Sequence, residues 1–212
     1  GGVQRFHEMF KPLLFDVLRI DSPDTYRLPA DVALPQDAAQ YYLNQLESLL
    51  QQHHSTIAAM IIEPVVQGAA GMIMQPSGYL AGVRQLTQKH DVLLIADEVA
   101  VGFGRTGAMF ACDHENIQPD LMCLAKGLTG GYITMAATLA TTEIWNAFLG
   151  DPARTFYHGH TYGGNPLAAA AAIANLDIFE SEQTMVNVHE RSAQLDNLLK
   201  PLANHPHVGD IR

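Results

Sequence analysis

A lysine and two acids stand where this chain could do chemistry. Lys126 follows the apolar run 121–125 and precedes Gly127. Asp97 follows the apolar run 92–96, and Glu63 closes the run 57–62. A lysine in a partly dry cleft has a lowered pKa and suits Schiff-base chemistry. The same placement also describes a lysine reaching out of a strand end into water. The Asp97-Glu98 pair reads as a loop or helix cap, or as a carboxylate that accepts a charged hydrogen bond from a ligand nitrogen. A metal site would need several converging hard ligands, and the sequence nominates only Glu63 nearby, so no metal is expected.

A further segment, His158-Gly159-His160-Thr161-Tyr162-Gly163-Gly164-Asn165-Pro166, places Thr161 among glycines just ahead of a helix start. Such a loop can offer a hydroxyl and backbone N–H groups to a phosphate, or it can be an ordinary glycine-rich turn. The stretch 102–107 has Gly-x-Gly-x-x-Gly spacing but opens no helix, so it reads as a turn shaping a pocket wall.

The elements that must position these residues follow from the apolar pattern. Short, uniformly apolar runs at 57–62, 92–96 and 121–125 suit parallel strands covered on both faces. A fourth strand is expected over 133–141. Helical spacing predicts helices over 37–53, with Tyr42, Leu46, Leu49 and Leu50 on one stripe, and over 78–90, with Leu80, Val83 and Leu86 inside and Ser77 as cap. Thr142 is expected to cap a short helix, and Asn165-Pro166 to open a long one. A last helix is expected over 182–200, ended by Pro201. Strands alternating with helices give an α/β class with a largely parallel sheet, in which ligands gather at the carboxyl ends of strands. Glu63, Asp97 and Lys126 all belong to that edge.

Composition narrows the function classes. The chain has 212 residues, 48% hydrophobic and 16% charged, a globular balance that buries roughly 70% of the unfolded surface. Its net charge of −10 argues against a general nucleic-acid or anionic-membrane binder. No apolar run reaches the roughly 18 residues that span a bilayer, and with Arg5, His7 and Glu8 in the first ten residues no signal peptide is expected there. Cys112 and Cys123 are too few for a disulfide framework and read as buried thiols in a reducing cytoplasm.

A pyridoxal phosphate site needs a lysine for the cofactor aldehyde and an acid that keeps the pyridine nitrogen protonated. Lys126 and Asp97, on two successive strand ends, supply both. With Ile61-Ile62-Glu63-Pro64, Ala96-Asp97-Glu98-Val99, Gly102-Phe103-Gly104-Arg105-Thr106-Gly107, Pro119-Asp120-Leu121 and Ala125-Lys126-Gly127-Leu128 in order, the chain resembles the class III (fold type I) pyridoxal-phosphate aminotransferases. The resemblance implies a three-layer α/β sandwich with a mostly parallel sheet. It makes 1–180 a cofactor-binding large domain lacking its N-terminal part, and 181–212 a helix and the start of a small domain. It implies that Lys126 carries the cofactor and shuttles a proton, and that Asp97 pairs with the pyridine nitrogen. It also implies that His160 and Thr161 reach the cofactor phosphate of the partner subunit of a homodimer, and that Gly159 touches the substrate.

Within the family, Phe110-Ala111-Cys112-Asp113-His114 and Phe156-Tyr157-His158-Gly159-His160-Thr161-Tyr162 resemble the branch that serves biotin synthesis. That branch implies 7-keto-8-aminopelargonate as amino acceptor and S-adenosylmethionine as donor, with lysine as the donor in some relatives. Ala69 and Ala100 stand where many glutamate-using relatives carry an acid and a glutamine. Both departures count against an ordinary ω-amino acid or acetylornithine aminotransferase. The chain is expected to be the core of a longer enzyme, without the main phosphate cup and the substrate-binding arginine; the alternative to an active aminotransferase is a catalytically incomplete piece.

Overall fold

The computed structural model describes residues 4–212. A short helix, α1 (Gln4–His7), leads into a 3-10 segment. Helix α2 (Ala38–His53) follows, then strand β1 (Ala59–Ile62) and a small antiparallel hairpin of β2 (Val66–Gln67) and β3 (Ile73–Met74). Next come α3 (Tyr79–Lys89), β4 (Leu93–Asp97), β5 (Leu121–Leu124) and β6 (Ala137–Ala140). Helices α4 (Thr142–Ala147), α5 (Pro166–Ser181) and α6 (Thr184–Leu199) complete the chain. The main sheet has the order β1-β4-β5-β6; its first two pairings are parallel and the last is antiparallel. The α/β class and mostly parallel sheet are therefore those the sequence implies.

The core lies between the sheet and the α2–α3 pair. Ala38, Tyr42, Leu46 and Leu50 recur every four residues along α2 and are all buried. They meet Leu80 and Val83 of α3 and Leu94 and Ala96 of β4. Gly82 lets the helices approach, because a Cβ there would overlap the Leu43 side chain. Burial on both faces of the strands is not found: Ile61, Leu93 and Leu139 are exposed. In β4 the alternate residues Leu94 and Ala96 face the helices, and the opposite face is only partly covered.

Two caps differ from expectation. Gly78, not Ser77, precedes α3, with φ +80°. The cap is the carboxylate of Glu115, which accepts from the Gly78 N–H (2.7 Å) and the Ala81 N–H (2.6 Å). A carboxylate at a helix N-terminus satisfies orphan donors and complements the dipole, so a distant acid replaces the local serine. The short helix α4 is capped by Thr141 rather than Thr142. Asn165 caps α5 as expected, accepting from the Leu167 N–H.

Asp120 fastens α3 to the sheet. Arg84 donates to both its carboxylate oxygens (2.6 and 3.0 Å), and the Leu94 N–H donates at 2.7 Å. Burial pushes the Asp120 carboxyl up, but the Arg84 pair and the Leu94 N–H outweigh it and hold it below the usual range. Its stabilisation is therefore present above the unfolded value, about pH 3.9, and is lost as pH falls through the lower folded value. Arg84→Met is expected to lower stability by about 1–3 kcal/mol at neutral pH. The gap to wild type should narrow below about pH 4, as followed by urea midpoints across pH.

Among the described residues, no helix is long and apolar enough to cross a membrane, and no group of three or more His, Cys, Asp or Glu could hold a metal ion.

Candidate active site at the carboxyl edge of the sheet

Register brings the expected residues to one edge. Ile62 pairs with Ala96, so Glu63 and Asp97 leave β1 and β4 at the same level. Asp97 pairs with Cys123 of β5, and the Glu98 N–H donates to the Cys123 carbonyl at 3.0 Å. Lys126 lies three residues beyond Cys123, at the first position of a 3-10 turn, Lys126–Thr129. Glu63, Asp97 and Lys126 thus end three adjacent parallel strands.

Each plays a different part. The Glu63 carboxylate accepts from the Gly68 N–H at 2.9 Å. Gln75 braces the same turn, donating to the Glu63 carbonyl (2.7 Å) and accepting from the Val65 N–H (3.0 Å). Glu63 is therefore spent on shaping the loop. That loop brings Gly68 beside Ala100, since a Cβ on Gly68 would stand 4.0 Å from the Ala100 Cβ. Of the two departures seen in the sequence, Ala100 thus stands beside Gly68, the residue before Ala69.

Asp97 is half-buried, and its Oδ1 accepts from the Val99 N–H at 3.1 Å, which fixes the plane of the carboxyl group. Cys123 lies beside it and is half-buried rather than buried. Burial first, and then the Asp97 charge, pushes its thiol up, so it stays protonated and is no competing nucleophile. Burial likewise raises the thiol of Cys112, with the Glu98 charge adding to it.

Glu98 is the residue whose role the sequence reading missed. It is fully buried, and its two oxygens accept from the Ala111 N–H (2.9 Å) and the Cys112 N–H (2.8 Å). It caps the 3-10 turn Ala111–Glu115 from below. Side chains alternate along an extended strand, so adjacent acids must point to opposite sides. That alternation was the signal that one acid faces the edge and its neighbour the interior.

The Lys126 side chain is exposed, not held in a partly dry cleft within this chain, because the turn lifts it clear of β5 at the open sheet edge. Its backbone φ is +46°, a left-handed conformation that costs a non-glycine residue of order 1 kcal/mol. Gly127 follows it and packs on the Phe103 ring: a Cβ there would stand 2.8 Å from the Phe103 Cβ. The glycine-rich loop therefore acts as the turn the sequence suggested, and it also props the lysine.

His160, Thr161 and Gly159 are not brought to this edge. All three are exposed, and the hydrogen bonds around them are local, from the Tyr162 N–H to His160 Nδ1 and from the Gly163 N–H to the His160 carbonyl. A fixed carboxylate and a primary amine on neighbouring strand ends match what pyridoxal phosphate asks of a protein at its ring nitrogen and its aldehyde.

Comparison with known proteins identifies the arrangement. The family model for class III aminotransferases matches residues 2–212. The chain is 52% identical over its whole length to the adenosylmethionine-8-amino-7-oxononanoate aminotransferase of Nitratidesulfovibrio vulgaris, covering 39% of that protein. It is 50% identical over its whole length to the enzyme of the same name from Geobacter sulfurreducens, covering 47% of it. The crystal structure of the Methanocaldococcus jannaschii enzyme of that name superposes with a TM-score of 0.87 at 43% identity, over all of this chain and 47% of that one. An (S)-enantioselective omega-transaminase from Thermomicrobium roseum superposes with a TM-score of 0.90 at 36% identity, over all of this chain and 47% of that one. The chain spans less than half the length of these relatives. Sheet order, the Asp97–Lys126 edge and these matches agree: the chain belongs to the class III aminotransferases, a family that works with pyridoxal phosphate.

Proposed function

We propose that the protein transfers an amino group to 8-amino-7-oxononanoate (7-keto-8-aminopelargonate), giving 7,8-diaminopelargonate for biotin synthesis, with S-adenosylmethionine as donor. The observation that carries this is the identity of 50–52% over the whole chain to enzymes of that name, against 36% to the omega-transaminase with an equally similar fold.

Pyridoxal phosphate, when bound, supplies an electron sink for charge developing at the substrate carbon. Asp97 holds a proton on the ring nitrogen, which keeps that sink effective. Lys126 takes a proton from the carbon bearing the amine and returns one beside it, as general base and then acid. His160 and Thr161 bind the phosphate in the partner subunit of a homodimer, and Gly159 lies against the substrate; their exposure here supports that reading. Residues 181–212 begin the smaller domain. The site of action is the cytoplasm.

The test is a substrate panel on the full-length enzyme. Turnover of 8-amino-7-oxononanoate with S-adenosylmethionine or lysine is expected, with little from ω-amino acids or acetylornithine. Brisk turnover of the latter with none of the former would assign the protein to another branch of the family. Asp97→Asn is expected to retain part of the cofactor and lose on the order of a hundredfold in turnover, read by steady-state kinetics at saturating cofactor. Unchanged turnover would remove Asp97 from this role.

A further inference from the structure

The turn that carries Lys126 is gripped from outside by a residue with no assigned part in the chemistry. Asn175, in the middle of α5, extends its side-chain amide to two consecutive carbonyls. Its Nδ2 donates to the Gly127 carbonyl at 2.9 Å and to the Leu128 carbonyl at 3.2 Å. The amide nitrogen thereby serves the two residues that follow Lys126. The other side of the amide fits against bare backbone. A Cβ on Gly130 would stand 3.0 Å from Asn175 Oδ1, and Gly130 has φ +59°. Asn175 is half-buried, and the helix that carries it also seats Phe179 against Phe103, the ring on which Gly127 packs.

The left-handed conformation of Lys126 needs a reason to persist. Strained backbone survives where its surroundings over-determine it. The turn's own bonds, Leu128 N–H to the Ala125 carbonyl and Gly130 N–H to the Gly127 carbonyl, close the loop but do not orient it relative to the sheet. The Thr129 hydroxyl ties it forward to the Ile133 carbonyl at 2.6 Å. Among the described residues, Asn175 is the hydrogen-bonding side chain that reaches the turn from a separate, rigid element. We infer that Asn175 is a positioning residue for Lys126: by holding the carbonyls of Gly127 and Leu128 it sets the direction in which the lysine amine leaves the end of β5. This rests on Lys126 acting as the cofactor-carrying, proton-moving group proposed above. A small displacement of such a group costs rate steeply, about a hundredfold for 1 Å, while substrate binding elsewhere is untouched.

The experiment uses the full-length protein with Asn175→Leu, which is nearly isosteric but donates nothing, and Asn175→Gln, which restores a donor. Three readouts are taken: hydrogen exchange of the amides of residues 127–131 in cofactor-free protein, the pH midpoint of the visible absorbance of the Lys126-bound cofactor, and kcat and KM separately. For Asn175→Leu, exchange at 127–131 should quicken about tenfold or more, with α2 and β4 unaffected. The absorbance midpoint should move, and kcat should fall by about ten- to a hundredfold with KM nearly constant. Asn175→Gln should recover part of each. If Asn175→Leu does not accumulate as folded protein, Asn175→Ser gives the same readouts. Unchanged exchange and an unchanged midpoint would overturn the inference, as would losses that track the unfolded fraction and that Asn175→Gln does not relieve. An inactive wild type would instead count against the proposed reaction, since the exchange readout needs no turnover.

Discussion

Lys126→Ala in the full-length enzyme is expected to lower amino transfer by about a thousandfold or more. The reason is that the proposed mechanism rests two duties on one amine. Lys126 ends β5 beside the end of β4, where Asp97 pairs with Cys123, and it is the lysine the sheet delivers to that edge. On that proposal, removing the amine deletes both the anchor for the cofactor and the group that moves the proton. Cofactor binding should weaken without vanishing, because Asp97 keeps its place through the Val99 N–H. Two measurements check it: steady-state turnover, and borohydride reduction followed by peptide mapping, which should mark Lys126 in wild type and nothing in the variant. Normal turnover in Lys126→Ala would end the assignment.

The largest effect on stability is expected at Glu98. Its side chain is fully buried, and each oxygen serves one backbone N–H of the turn Ala111–Glu115. Glu98→Ala removes two charge-assisted hydrogen bonds and leaves two buried N–H groups unpaired, a cost of about 3–5 kcal/mol. The loss should spread, because the same turn ends in Glu115, the cap of α3. Glu98→Gln keeps one acceptor and turns an amide toward the other N–H, so its loss should be smaller. Urea midpoints of the three proteins, with near-constant slopes, are the check. Equal stability of Glu98→Ala and wild type would show that the turn is held by other means.

How far the sequence could be read depends on whether a feature is local. The strands and helices were legible because their apolar periods are local, and Asp97 and Lys126 were legible because a charged residue at the end of an apolar run is conspicuous. The Asn165 cap was legible for the same reason. What escaped reading depends on partners far along the chain. Glu115 caps a helix 37 residues before it, so no local pattern marks it. Asn175 grips a turn 48 residues away and looks, in sequence, like one polar residue on an alanine-rich helix. The exposed faces of Ile61, Leu93 and Leu139 could not be foreseen, since a uniformly apolar run does not say which of its faces this chain itself covers.

The direction of the strands bears on how the protein comes together in time. β5 and β6 are antiparallel and joined by one loop, so they can meet early, as neighbours in the chain. β1 with β4, and β4 with β5, are parallel, and each pairing waits for a long crossover to close. Asp97 therefore meets the strand that carries Lys126 only in one of the slow steps. Until then β5 shows an unpaired edge with Leu121, Met122 and Leu124 on it, open to pairing with another nascent chain. Refolding yield should accordingly fall with protein concentration more steeply than native stability would indicate.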